Sequence, residues 1–309
     1  MEKAIENLWE PVSIKDRHAE SNIEDKLPRI KGFYMRFKTN KKAVAGVAML
    51  FFIALFALVG PKLTEYSYLQ QNLMNTNQPP NMAHWFGTDG VGRDLFIRVL
   101  YGARVSLVVG ILSACIVCVL GCIYGGLSGY FGGLLDRIMM QIINIIGTIP
   151  LVLYVILLSL ILKPGITTMV IAIGSIYWIP MARIVRSQII SLKEQEFIYA
   201  SKALGAGSLR IITKHLLPNI LGTIIVTTTL VIPEAIFIES FLSFIGVGVE
   251  IPKASWGVLV YDAIGGIRSY PYQLFFPSLG ICITIIGFNL LGDGLRDILD
   301  IKKVNWRRI

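Results

Sequence analysis

The sequence predicts an all-α integral membrane protein with six transmembrane helices and both termini in the cytoplasm. Three observations carry that reading. The 309-residue chain is 54% hydrophobic and only 16% charged, with a mean hydropathy of +0.64, whereas soluble domains carry roughly a quarter charged residues. Its charges cluster and leave six charge-free runs, Ala43–Gly60, Val105–Leu135, Ile138–Leu162, Pro164–Ala182, Leu216–Pro233 and Ser269–Gly292. Each approaches or exceeds the ~20 helical residues that cross a hydrocarbon core. Finally, with the N-terminus inside, 19 Lys and Arg from Lys26 onward fall on the inner side and 7 on the outer. Basic residues in short loops favour the cytoplasmic side. The net charge of +9 then suits the anionic inner leaflet and calls for no nucleic acid.

Residues 1–42 read as a cytoplasmic arm, acidic from Glu2 to Asp25 and basic after it. About forty polar and basic residues precede the first run, so no cleavable signal is expected and 43–60 should remain as the first span. The extracytoplasmic loop 61–104 is rich in Asn, Gln, Pro and Gly in its middle, which suits turns. Leu95, Val99 and Leu100 then recur at helical spacing and predict a short amphipathic helix on the outer surface. The stretch Gly87–Asp94, GTDGVGRD, lacks the phosphate-loop spacing and a preceding strand, so it reads as an Asp-Gly turn capping a helix.

Residues 105–300 form the core, with five further spans. Cys115, Cys118, Cys122 and Cys282 all lie within apolar runs and read as packing residues. The fifth region, Leu216–Val249, contains Pro233, Glu234 and Glu239, so a break or kink is expected near Val231–Pro233. Carboxylates at membrane depth usually face a cavity or protein interior. Glu234 and Glu239 therefore either line a translocation path or sit at the outer boundary, satisfied by helix N-termini or water. Trp256, Tyr261, Tyr270 and Tyr272 read as an interfacial aromatic belt. A charged tail, 301–309, closes the chain, and no clean internal repeat is visible.

The polar insert at 191–217 has its own grammar. Ser191 and Glu194 suggest a capping box, Phe197, Ala200 and Leu204 share a helical face with Ala203 beside them, and Gly205 and Gly207 suit a helix end. Ser208 is placed to cap a second amphipathic helix, with Leu209, Ile212 and Leu216 on one face and Arg210 and Lys214 opposite. Pro218 suits the first turn of the next span. The small residues Ala200, Ser201, Ala203, Gly205, Ala206 and Gly207 admit close approach by another protein, a helix-in-groove element, though such a segment also suits anionic lipid.

The stretch YASKALGAGSLRIITKHLLPN resembles the cytoplasmic loop of binding-protein-dependent ATP-binding cassette importers, whose pattern is E-A-A, three residues, G, then a later proline. Tyr199-Ala200-Ser201 stands where E-A-A is expected, Gly205 is the glycine, and Pro218 closes the motif. Phe86–Leu107, Pro233–Val249 and Phe276–Asp300 resemble the C-type permease subunit of oligopeptide and dipeptide importers. The resemblance implies the type I importer permease fold and a non-catalytic subunit that forms half of a translocation path. Its implied partners are a second, similar permease, two ATPases that bind the ATP, and an extracytoplasmic peptide-binding protein, all around a membrane lipid boundary. The chain itself is expected to hold no cofactor, metal or catalytic group. Coupling to an ATPase would fall to Glu196, Tyr199, Ala200, Ser201, Lys202, Ala203, Leu204, Gly205, Ala206 and Pro218. The alternative is an ion-coupled secondary transporter, which would need coupling carboxylates deep in several spans. A membrane hydrolase or sensor would need a convergent nucleophile and base, yet His18, His84 and His215 lie in polar or interfacial positions.

Overall fold

The computed structural model describes residues 29–249 and 253–299, so most of the N-terminal arm and the tail 301–309 lie outside the described residues. Helix α1 is Arg29–Thr39 and α2 is Lys41–Val59. A looped connection leads to α3, Leu95–Phe131, which Asp94 starts by accepting from the Ile97 N–H at 2.9 Å. Helices α4, Gly133–Gly147, and α5, Leu151–Leu162, precede α6, Ile166–Lys193. Helix α7, Glu196–Ala203, leads to α8, Ser208–Ile211, a π turn at Ile212–Leu216 and α9, Leu217–Asn219. Helices α10, Leu221–Phe244, α11, Trp256–Ala263, and α12, Tyr272–Leu299, complete the bundle. The described residues form no sheet beyond one bridge between Thr88 and Asp94.

Five helices are long and apolar enough to cross a membrane, and a sixth span is obtained if α4 and α5 count as one. That pair bends by 84°. The cause is local: Pro150 has no N–H to continue the ladder and disfavours helical backbone at Ile149 before it.

The structure corrects four expectations about the helices. The surface helix at residue 95 is the start of α3, because no proline interrupts the 37 residues after Asp94. Those first turns are buried all round, with Leu95 and Ile97 at 2% exposure. Helix α10 passes Pro233 unbroken, since α3 and α12 pack along it and Val231, Ala235 and Ile236 are buried on either side of the ring. The capping box does not form, because α6 continues to Lys193 and holds Ser191 inside its last turn. Trp256 is no belt residue: it is 2% exposed, and its indole N–H donates to the Val99 carbonyl at 3.0 Å.

Packing centres on α3. Its main partner is α6, while α10 lies against both α3 and α12, and α2 runs along α12. Gly121, Gly125 and Gly129 place one bare backbone per turn of α3 against α6. A Cβ at Gly125 would stand 2.3 Å from the Ala182 carbonyl oxygen, and one at Gly129 2.9 Å from that of Arg186. Lipid tails are as apolar as leucine, so helix association in a bilayer depends on this kind of close approach.

The loop beyond α2 is tied down by buried charge. The Asp89 carboxylate accepts from Arg93 Nε at 2.6 Å and from Arg98 Nη1, and Asp262 on α11 accepts from Arg98 Nη2 at 3.2 Å. Arg98 is 1% exposed. Gln273 at the start of α12 donates to the Thr88 carbonyl and to Asn77 Oδ1, both at 2.9 Å. Asp89 also receives the backbone N–H groups of Val91 and Arg93, the Asp-Gly turn expected from the sequence.

Two predictions follow from these contacts. Gly125→Val drives a branched side chain into the α6 backbone and should destabilise the detergent-solubilised protein by about 1–3 kcal/mol. Gly126→Ala, where a Cβ meets nothing nearer than 3.8 Å, should leave the thermal midpoint unchanged. For Asp89, burial pushes the carboxyl up, but the Arg98 charge and the Arg93 hydrogen bonds outweigh it and hold the group below the ordinary aspartate value. The stabilisation is therefore full above about pH 3.9 and is lost as pH falls through the lower folded value. Asp89→Asn should cost about 3 kcal/mol or more at neutral pH, and its unfolding should depend less on pH in the acid range.

Candidate functional site

The insert between α6 and α10 projects from one end of the bundle. Helix α7 is seated by Ile198, which is fully buried with Ile189, Ile211, Ile212 and Leu216. Its other faces are open: Phe197 is 40% exposed, Tyr199 57% and Leu204 88%. The helix ends where the sequence places Gly205, which adopts φ +81°. The Ala206 N–H donates to the Ser201 carbonyl at 3.0 Å and the Gly205 N–H to that of Lys202 at 2.9 Å, the paired bonds of a Schellman end. An added Cβ at Gly205 would meet nothing within 4 Å, so the requirement there is for backbone conformation and not for space. Ser201 turns its hydroxyl back to the Phe197 carbonyl at 2.7 Å.

The second half of the insert differs from expectation. Gly207 holds the N-cap position, and Ser208 is the first helical residue and gives no side-chain cap. The inward face is Ile211, Ile212 and Leu216, while Leu209 is 73% exposed. This shift follows the π turn, which widens the helix ahead of Pro218, a residue that lacks an N–H and crowds the carbonyl four residues back. Pro218, expected in the first turn of the next span, lies instead in the short helix α9, which ends at Asn219 before α10 begins at Leu221. Leu209, Arg210, Thr213, Lys214 and His215 line an open groove of about 590 Å³ on the second half of the insert.

Three contacts that sequence reasoning missed fasten this end to the bundle. Asp136, at the start of α4, accepts from Arg186 Nε and Nη2 on α6, both at 2.5 Å, and from the buried Ser128 hydroxyl on α3. Lys193 Nζ donates to the Gly129 carbonyl at 3.1 Å. Lys202 on α7 stands 5.7 Å from the ring centres of both Tyr130 on α3 and Tyr199 on α7. Asp136 carried a signal, being the sole acidic residue between Asp94 and Glu194. The Lys202–Tyr130 contact carried none, since its partners lie 72 positions apart.

The two carboxylates of α10 have different surroundings. Glu234 is exposed on the helix surface. Glu239 is fully buried and accepts from the Ser106 hydroxyl of α3 and the Ser243 hydroxyl of α10, both at 2.8 Å. Its partners are side-chain hydroxyls, and Ser255, the N-cap of α11, joins the same group through Ser243. Ser106 also accepts from the Trp256 N–H at 3.4 Å, so the group joins α3, α10 and α11. Cys118 and Cys122 pack against the core that holds Trp178 and Ile224.

Comparison with known proteins decides the family. The model of the binding-protein-dependent transport system inner membrane component matches residues 119–304. The chain belongs to this permease family. The N-terminal TM domain of oligopeptide transport permease C matches residues 30–80 of the permease. Over 98% of its length the permease is 44% identical to the oligopeptide transport system permease protein OppC of Bacillus subtilis, covering 99% of that protein. It is 47% identical to the dipeptide transport system permease protein DppC of the same organism, over 93% of this chain and 90% of that one. Among solved structures, an inward-facing MetNI methionine ABC transporter chain matches 65% of the permease and 95% of itself, at a TM-score of 0.51 and 20% identity, a likeness of fold. The type I importer architecture expected from the sequence is therefore present. The ion-coupled carrier gains no support, since the relatives are ABC permease subunits and Glu239 is closed off by serines.

If Glu239 acts as a hydrogen-bonded joint and not as a proton carrier, Glu239→Gln should keep uptake by the reconstituted transporter within about twofold of wild type. Glu239→Leu, which leaves the Ser106 and Ser243 hydroxyls without their acceptor, should cost about 1–3 kcal/mol in thermal stability.

Proposed function

We propose that this chain is the transmembrane permease subunit of an ATP-binding cassette importer for peptides, forming half of the translocation path. The observation that carries the reading is α7, a short helix seated by the buried Ile198 whose outer face no described residue covers. Such a helix fits a groove of a partner. The near full-length similarity to oligopeptide and dipeptide permeases supports peptides as the substrate class.

In this reading the α7 end faces the cytoplasm, in line with the distribution of basic residues. An ATPase cleft receives Phe197, Tyr199, Ala200, Lys202, Ala203 and Leu204, and the Gly205 end gives the approach its clearance. The buried Ile198 and the Lys202–Tyr130 contact pass displacement of α7 to α3 and α6. ATP binding and hydrolysis belong to the two ATPase subunits, and peptide selection falls mainly to an extracytoplasmic binding protein. A second, homologous permease supplies the other half of the path, which the exposed Glu234 face borders.

The test is purification of the chain with its co-encoded partners and measurement of ATPase stimulation by peptides of graded length. Stimulation by peptides is expected, and its absence across all lengths would refute the substrate class. Gly205→Glu places a charged side chain at the open α7 end in a backbone conformation that disfavours it. It should abolish uptake and co-purification of the ATPases while leaving membrane insertion intact. Normal uptake by this variant would sink the coupling role of α7.

A further inference from the structure

Helix α1 and the first turn of α2 are set apart from the rest of the chain by charge. Seven Lys or Arg lie between Lys26 and Lys42, and no Asp or Glu occurs between Asp25 and Glu65. At 100° per residue, the spacing places Ile30, Phe33, Tyr34 and Phe37 on one face of α1. Arg29 and Arg36 flank that stripe on one side, and Lys31 and Lys38 flank it on the other. The aromatic side is not covered by the bundle: Phe33 is 39% exposed and Tyr34 65%. The rings of Phe33 and Phe37 stand 6.0 Å apart along it.

The helix is also held at a fixed place. Asn40 separates α1 from α2 with extended backbone, φ −84° and ψ 105°. Its Oδ1 accepts from the Ala43 N–H at 3.1 Å and its Nδ2 donates to the Gly294 carbonyl of α12 at 3.5 Å. The C-terminal end of α1 therefore sits where a membrane span begins. Lys41 and Lys42 occupy the first turn of α2, where a helix dipole disfavours cations. Lys42 is 3.6 Å from Asp297, and Lys41 is exposed. The charge of Lys42 is thus met within the chain, while Lys41 stands exposed at a helix start that disfavours cations and suits an anion outside the chain.

We propose that α1 is an interfacial helix that binds the anionic headgroup surface of the membrane, its aromatic stripe inserted between lipids and the exposed Lys38 and Lys41 on the phosphates. An aromatic stripe bordered on both sides by Lys and Arg is the arrangement an interface selects, because the long basic stems reach outward while the rings sit in the boundary region. Juxtamembrane basic clusters gain from anionic lipid, and the gain fades with salt. This inference does not depend on which substrate the permease carries.

The experiment uses the full-length chain assembled with its partner subunits, with the four native cysteines replaced by serine and a spin label on Tyr34→Cys. The complex is placed in vesicles of phosphatidylcholine alone or of an equal mixture with phosphatidylglycerol. Accessibility to oxygen and to a water-soluble nickel reagent gives the label's depth. In mixed vesicles at low salt the label should be lipid-buried. It should become water-accessible in pure phosphatidylcholine, at about 1 M salt where screening shortens to about 3 Å, and in the double variant Lys31→Glu, Lys38→Glu. A label on Phe52→Cys in the first span should stay lipid-buried throughout, showing that insertion is intact. If Tyr34→Cys fails to assemble, Phe33→Cys gives the same readout. Equal depth in both lipid compositions would overturn the proposal, as would burial that requires the ATPase subunits.

Discussion

The seam between α3 and α6 is the constraint on which the rest of this molecule depends. Three glycines in successive turns bring two backbones into contact, to within a distance that a single methyl group would violate. In water such a seam would add to a hydrophobic effect that already drives helices together. In lipid that driving force is missing, and close packing must stand in for it. Everything else hangs from the pair: α10 lies along α3, α11 docks on α3 through Trp256 and the Ser106–Glu239 group, and α7 follows directly from the end of α6.

The same seam gives the α7 end its mechanical character. Asp136, Ser128, Arg186 and Lys193 sit around the last turns of the two helices, so the short connection from α3 to α4 is locked to α6. Helix α7 is then fixed by one buried isoleucine and one lysine between two tyrosines. Its outer face is exposed among the described residues, and the Schellman end at Gly205 keeps that face short.

The opposite end follows a different principle. There, polar loop residues are buried by making them satisfy one another, with Asp89 and Asp262 sharing two arginines and Gln273 bonding the loop backbone. Buried ion pairs add little net stability, but breaking one is costly. Such a network therefore fixes the geometry of a long loop that holds only short 3-10 turns and one bridge of its own. The loop covers the first turns of α3, which is why those residues are buried on every side, Arg98 included.

Helix number, membrane class and the place of the α7 element were legible in the sequence, because each depends on local quantities. Span length follows from the runs between charges, and the Gly205 end follows from a residue type that tolerates positive φ. The sequence also contained the GxxxGxxxG pattern at Gly121, Gly125 and Gly129, a signal of close helix packing, but nothing local names its partner helix. Tertiary structure alone decided the fate of residues whose surroundings come from distant segments. Trp256 was drawn from the interface into the core by a carbonyl on α3, Glu239 was enclosed by serines from two helices, and Pro233 was carried through an unbroken helix by its neighbours. The bend at Pro150 shows the same division, since the break is written in the proline while its 84° angle is not. A sequence states what each residue prefers, and only packing determines which preferences are met.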